Sequence, residues 1–305
     1  MIYSVETKRP AACVAGSTNR SELAASQDYV GAVENLRAGI SAVLVADGLG
    51  AFEHSEMAAR RAVETAISRL ESIPSLGELD FTALFRECQN AVRELACKHC
   101  ADTGLQLDFE HSFGTTMIVG VDTPEELLVA YVGNGSAWHL RGNFNHFGAN
   151  RYIPWSAVNY LNPHTLENNL GREALYRLIS PSNDDKECAP TVVRISKDSV
   201  QGDILLVCTD GISSLDQAQV GKYRDGSVWT RAEDPVLRFY TALAEYFQES
   251  HEFTGASLKS AMNRYLDELR SKGLLDDDAS LGLILTPDAV AYQRVWRGTR
   301  SAEQG

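Results

Sequence analysis

Apolar positions along the chain change their period several times, and each change predicts an element. Short apolar runs at Ala12 to Ala15, Tyr29 to Val33 and Ser41 to Ala46 read as strands, the last with a Val-Leu-Val centre. From Ser55 the spacing becomes helical: Met57, Ala58, Ala62, Ala66, Ile67 and Leu70 share one face and charges take the other. A second helix is predicted over about Asp80 to Lys98, with Leu84, Phe85, Cys88, Val92 and Leu95 at three- and four-residue steps. Strands return at Thr116 to Val121, Leu127 to Val132 and Ala137 to Arg141, and Gly133-Asn134-Gly135 between the last two predicts a hairpin. The Asn-rich stretch Gly142 to Pro190 has no clear period and reads as loops that cover a site. Ile204 to Cys208 is a continuous apolar run, as in a strand buried on both faces. Amphipathic helices over Val236 to Glu249 and Leu258 to Leu269 follow, then a strand at Leu281 to Leu285 and another at Ala291 to Val295. Strands and helices come in blocks rather than alternating, which predicts an α+β fold with helices layered outside sheets.

Composition narrows the function. With 305 residues, 44% of them hydrophobic, the chain can bury one large core or two modest ones. Lys and Arg number 28 against 41 Asp and Glu, a net charge of −13, which argues against nucleic acid as a partner. Met1 to Pro10 has no apolar secretory core, and the longest apolar run, Ile40 to Ala46, is too short to span a bilayer. No membrane partner and a cytoplasmic location are expected; the six cysteines form no dense disulfide framework, which fits a reducing compartment.

Four acidic residues sit at the ends of apolar strands: Asp28, Asp47, Asp210 and Asp277. Each alone has an ordinary reading, since Asp-Gly is a turn dipeptide and a triple Asp is often a solvated loop. Together they supply what a hard divalent cation needs, namely oxygen ligands and negative charge on a rigid frame. The glycine after Asp47, Gly48, lets a backbone carbonyl approach an ion.

The order Gln27-Asp28, Asp47-Gly48-Leu49-Gly50, Gly114-Thr115-Thr116, Val132-Gly133-Asn134-Gly135-Ser136, Thr209-Asp210-Gly211-Ile212 and Asp277-Asp278-Ala279-Ser280 resembles the metal-dependent protein Ser/Thr phosphatases of the 2C type. His54-Ser55 and Ala59-Arg60 at the helix start are similar to their bacterial branch. The resemblance implies one catalytic domain over 1–305, with its core at about 11–286 and an irregular insertion at about 142–190. It implies a four-layer α-β-β-α sandwich with two central, mostly antiparallel sheets and antiparallel helix pairs outside. It further implies two Mn2+ or Mg2+ ions, with Asp47 bridging both, Asp28 and the Gly48 carbonyl completing one ligand set and Asp210 with Asp277 holding the other. The implied reaction is attack of a cation-bridging hydroxide on phosphoserine or phosphothreonine of protein substrates.

The chain also departs from that pattern. Asn134 stands where many members carry Asp, so a third, weaker cation would have an amide oxygen as its ligand. Leu49 stands where a His often acts as proton donor, which leaves His54 as the nearby candidate general acid. Arg20 is the nearest match to the phosphate-binding Arg, lying further upstream than usual. These departures keep a second expectation open: a phosphatase-like regulatory or binding module with weak or no catalysis. Cys97-Lys98-His99-Cys100 has metal-site spacing but no partner pair, and reads as structural. Trp155 to Tyr160 reads equally as a groove lining and as core.

Overall fold

A computed structural model describes residues 2–6, 12–20, 26–106, 108–142, 157–167, 173–213, 218–222, 225–232, 235–250 and 253–294. Strands β1 (Ile2–Glu6), β2 (Ala12–Thr18), β3 (Asp28–Asn35) and β4 (Ile40–Asp47) precede helices α1 (Ser55–Ser72) and α2 (Phe81–Thr103). Next come β5 (Met117–Asp122), β6 (Glu126–Val132), β7 (Ser136–Leu140), the short β8 (Val158–Asn159), β9 (Thr165–Glu167) and β10 (Glu173–Leu175), then β11 (Thr191–Ser196) and β12 (Ile204–Cys208). The one-turn α3 (Asp210–Ser213), β13 (Ala218–Lys222), β14 (Val228–Ala232), α4 (Pro235–Glu249), α5 (Gly255–Ser271) and β15 (Ala279–Leu285) follow.

The main strands form two antiparallel sheets, one ordered β1-β2-β15-β12-β7-β8 and one ordered β11-β6-β5-β4-β3. The sequence dictates this layering through its unbroken apolar strands. In β4, Ile40, Ala42, Leu44 and Ala46 pack under α1 and α2, whereas Val43 and Val45 face the other sheet. In β12, Ile204, Leu206 and Cys208 pack under α4 and α5, and Leu205 and Val207 face inward. A strand apolar at every position is stable only when both its faces are covered, so two such sheets stack on each other and carry helices outside. The result is the expected α-β-β-α sandwich. The sheets approach closely at Gly120 and Gly282, where an added Cβ would come within 3.0 Å of Leu205 and 2.7 Å of Val43 respectively. Helix α2 begins at Asp80, whose side chain accepts from the N–H of Thr82 and Ala83, and ends at Gly104 with φ 72°.

Two expectations are corrected. Gly133-Asn134-Gly135 does not close a hairpin: β6 belongs to the five-stranded sheet and β7 to the six-stranded one. The turn carries the chain from one sheet to the other because β6 pairs with β5 and β11 while β7 pairs with β12 and β8. The tail at 291–294 is helical rather than a strand. Thr286 at the helix start, whose Oγ1 accepts from the N–H of Ala289, and Pro287 behind it outweigh the β-prone composition.

Part of the irregular stretch, residues 178–183, is held on α2 rather than left loose: Gln89 donates to the carbonyls of Ser180 and Asn183, and Arg93 to those of Pro181 and Asn183. Trp155 lies outside the described residues, while the Tyr160 ring packs 6.1 Å from that of His139. All six cysteines are free, and Cys97 is exposed. Among the described residues no helix is long and apolar enough to cross a membrane.

Candidate metal centre

Register alone brings the first two aspartates together. Asp28 opens β3 and Asp47 closes β4, and the antiparallel pairing sets them directly opposite each other. On the other sheet, Cys208 at the end of β12 lies opposite Leu281 of β15, so Thr209-Asp210 and Asp277-Asp278 emerge at one end. The two ends meet: Thr209 Oγ1 donates to Asp28 Oδ2 at 3.0 Å. Thr209 in turn is held by Ser280, whose N–H donates to Thr209 Oγ1 and whose carbonyl accepts from the Thr209 N–H, each at 3.0 Å.

The Asp47 backbone is fixed just as closely. Its carbonyl accepts from Thr115 Oγ1 at 2.9 Å and from the Thr116 N–H at 2.8 Å. Gly48 donates its N–H to the Gln27 carbonyl, and a Cβ there would lie 2.7 Å from the backbone of Ser55. Only glycine fits that contact between β4 and the start of α1. Gly114 is constrained likewise, since an added Cβ would sit 2.5 Å from the Phe52 ring.

Electrostatics distinguish this cluster from a solvated acidic surface. Asp28 is 5% exposed, and its Oδ1 has no hydrogen-bond partner. Burial first, with the charge of Asp278 adding to it, lifts its carboxyl from 3.8 to about 7. Asp47 is pushed well above the ordinary carboxylate range by burial and then by the charges of Asp28 and Asp210. Two facing, desolvated carboxyls ionise only at a cost that nearby positive charge would offset, so Asp28 and Asp47 hold their protons more tightly than exposed carboxyls do. Hard oxygen donors, an unpartnered buried Oδ1 and uncompensated negative charge fit divalent cations. Among the described residues no three Asp, Glu, His or Cys side chains already surround a common point as metal ligands do.

The other expected residues are placed as follows. Asn134 reaches the cluster, with its Nδ2 donating to Asp210 Oδ2 at 2.7 Å. Its turn is latched by His164, whose Nδ1 accepts from the Gly133 N–H while Nε2 bonds Thr191 Oγ1 and the ring stacks on Tyr131. Asp277 is exposed, and its Oδ1 accepts from the N–H of Asp278 at 2.8 Å. Arg20 is exposed and donates from Nη1 to the Asp276 carbonyl at 2.8 Å. His54, in the left-handed region with φ 58°, packs its ring on His99 and Phe113. Thr209, Ser280 and Asp278 hold the site and were not singled out in the sequence. Their only signal was position, immediately beside the aspartates in Thr-Asp-Gly and Asp-Asp-x-Ser.

The pH dependence of the metal-free protein checks the burial of Asp28. A carboxyl held at about 7 in the folded state contributes stability that is full below 3.8 and is lost as pH rises through 7, by at most about 1.4 kcal/mol per pH unit. His164, lowered from 6.5 to about 4 by burial and Arg177, gives the opposite slope over much of that window. The discriminating quantity is therefore the difference in Tm between Asp28→Asn and wild type in EDTA. That difference is expected to shift in favour of the variant between pH 4 and 8, and a constant difference would refute the burial argument.

Comparison with solved structures gives three whole-chain similarities. One is the serine/threonine phosphatase Stp1 from Staphylococcus aureus, at 13% identity, covering 94% of this chain and 95% of that one with a TM-score of 0.58. Another is the Mycobacterium tuberculosis serine/threonine phosphatase PstP/Ppp, at 16% identity, covering 93% and 98% with a TM-score of 0.54. A third is a C. elegans sex determining protein, at 13% identity, covering 96% of this chain and 67% of that one with a TM-score of 0.58. At such identities the likeness is one of fold. No curated protein matches the chain. The sequence profile described as Protein phosphatase 2C matches residues 15–269, a span that contains Asp28, Asp47, Gly48, Asn134 and Asp210. With that match over most of its length, the chain belongs to the protein phosphatase 2C family.

Proposed function

We propose that this chain is a divalent-cation-dependent phosphatase that hydrolyses phosphoserine and phosphothreonine in proteins. The observation that carries the reading is the meeting of Asp28, Asp47 and Asp210, from the ends of both sheets, in one group with excess negative charge, of which Asp28 and Asp47 are desolvated. Asp28, Asp47, the Gly48 carbonyl, Asp210 and Asp277 would hold two ions, Mn2+ or Mg2+, with Asn134 able to add an amide oxygen. When bound, such ions supply Lewis acidity that acidifies water and offsets charge on phosphoryl oxygens. The chain's own residues do the rest. Thr209 orients Asp28, Thr115 and Thr116 lock the backbone of Asp47, and Arg20 supplies a guanidinium for the phosphate.

A second reading, a binding or regulatory module, is favoured by one contact: the Asn134 amide donates to Asp210 Oδ2 and so occupies an oxygen that cation binding would use. Hydrolysis of p-nitrophenyl phosphate separates the two. EDTA is expected to remove turnover, and added Mn2+ or Mg2+ to restore it. Turnover persisting in chelator would refute the cation-dependent reading. A cation-induced rise in Tm without turnover would support the binding module instead.

A further inference from the structure

The third aspartate of the Asp276-Asp277-Asp278 run has a place that neither the mechanism above nor the family profile accounts for. Asp278 is 9% exposed and its carboxylate is fully engaged by backbone: Oδ1 accepts from the N–H of Arg20 and Oδ2 from the N–H of Gln27, both at 2.9 Å. Gln27 adjoins Asp28. The guanidinium of Arg20 returns to the same loop through the Asp276 carbonyl. The Asp278 carbonyl packs against Gly211, where an added Cβ would lie 1.8 Å away, next to Asp210. One residue therefore touches the segments that carry Arg20, Asp28 and Asp210.

We propose that Asp278 is a positioning residue: a two-oxygen bracket that sets the phosphate-binding Arg20 in register with the Asp28 end of the cation centre. This rests on the phosphatase reading for the role of Arg20. The chemistry requires a carboxylate, because two N–H donors need two acceptor oxygens and an ionised group binds both strongly. Asparagine offers one oxygen and an NH2 group that would face the second N–H, so one arm of the bracket opens. A guanidinium has five N–H donors, and the bond to Asp276 leaves it able to take a phosphate.

The test is calorimetric titration of inorganic phosphate into the Mn2+-loaded full chain. Asp278→Asn and Arg20→Ala are each expected to weaken binding about tenfold, the loss of one charge-assisted hydrogen bond. The double variant is expected to bind no more weakly than Arg20→Ala alone, since Asp278 acts through Arg20. In steady-state hydrolysis of p-nitrophenyl phosphate, Asp278→Asn should raise KM about tenfold with kcat within about twofold. Additive losses in the double variant, wild-type affinity in Asp278→Asn, or a fall in kcat at unchanged KM would each overturn the bracket, as would wild-type protein that binds no phosphate. If wild type binds phosphate in this pattern but turns nothing over, the phosphatase reading fails and the bracket stands. Should Asp278→Asn not fold, hydrogen exchange in unmodified protein decides: the Arg20 and Gln27 amides are expected to be protected, and exchange at unstructured-chain rates would refute the proposal.

Discussion

Asp47→Asn is expected to reduce cation-dependent hydrolysis of p-nitrophenyl phosphate by at least about a thousandfold while leaving the metal-free protein as stable as wild type or more so. Both halves follow from the same burial. In the proposed reading Asp47 would help hold both ions, and losing about 4 kcal/mol of transition-state stabilisation corresponds to about three factors of ten. In the metal-free fold, however, its carboxyl is held well above the ordinary range by burial and then by the charges of Asp28 and Asp210, so ionising it there costs free energy. Asparagine has nearly the same shape, carries no charge and relieves the repulsion. Activity and Tm, each with and without Mn2+, check this: the cation-induced rise in Tm should disappear with the activity. A variant that retains turnover, or one that unfolds without metal, would show that Asp47 is not the desolvated centre of the site.

Gly211→Ala is expected to lower Tm and abolish the response to Mn2+ together. A Cβ at this position would lie 1.8 Å from the carbonyl oxygen of Asp278 and 2.8 Å from its carbon, and both are backbone atoms that cannot rotate away. The turn carrying Asp210 must then separate from the start of β15. Forced shifts of this kind cost about 1–3 kcal/mol, and at roughly 2–4 °C per kcal/mol Tm should fall by roughly 2–12 °C. Gly77→Ala is the control, since the nearest atom to its added Cβ is 3.9 Å away on the Ser75 side chain. Equal effects at the two positions would mean that the close contact at Gly211 does not organise the site.

Legibility differed by element. The helices over 236–249 and 258–269 were recognisable because their apolar faces repeat at helical spacing, and they match α4 and α5 within a few residues. Strand β11 escaped because its burial alternates with exposed Val192 and Arg194 at a sheet edge, and it is completed only by pairing with β6. Gly133-Asn134-Gly135 misled because turn chemistry specifies a reversal without specifying which strand receives it. The acidic cluster could be proposed from the positions of its aspartates at strand ends, yet Thr209 and Asp278 could not. Nothing in local sequence distinguishes a threonine that bonds a carboxylate 181 residues away.

Most helices and the central strands, the burial of those strands on both faces and the set of acidic residues were legible in the chain alone, because periodicity and residue chemistry act over short range. Tertiary structure alone decided which strand ends coincide, that β6 and β7 part to different sheets, and which side chains hold the aspartates in place. The physical reason is that desolvation and hydrogen bonding between distant segments arise only once two sheets close on each other. The perturbed acidity of Asp28 and Asp47 is a property of that closure.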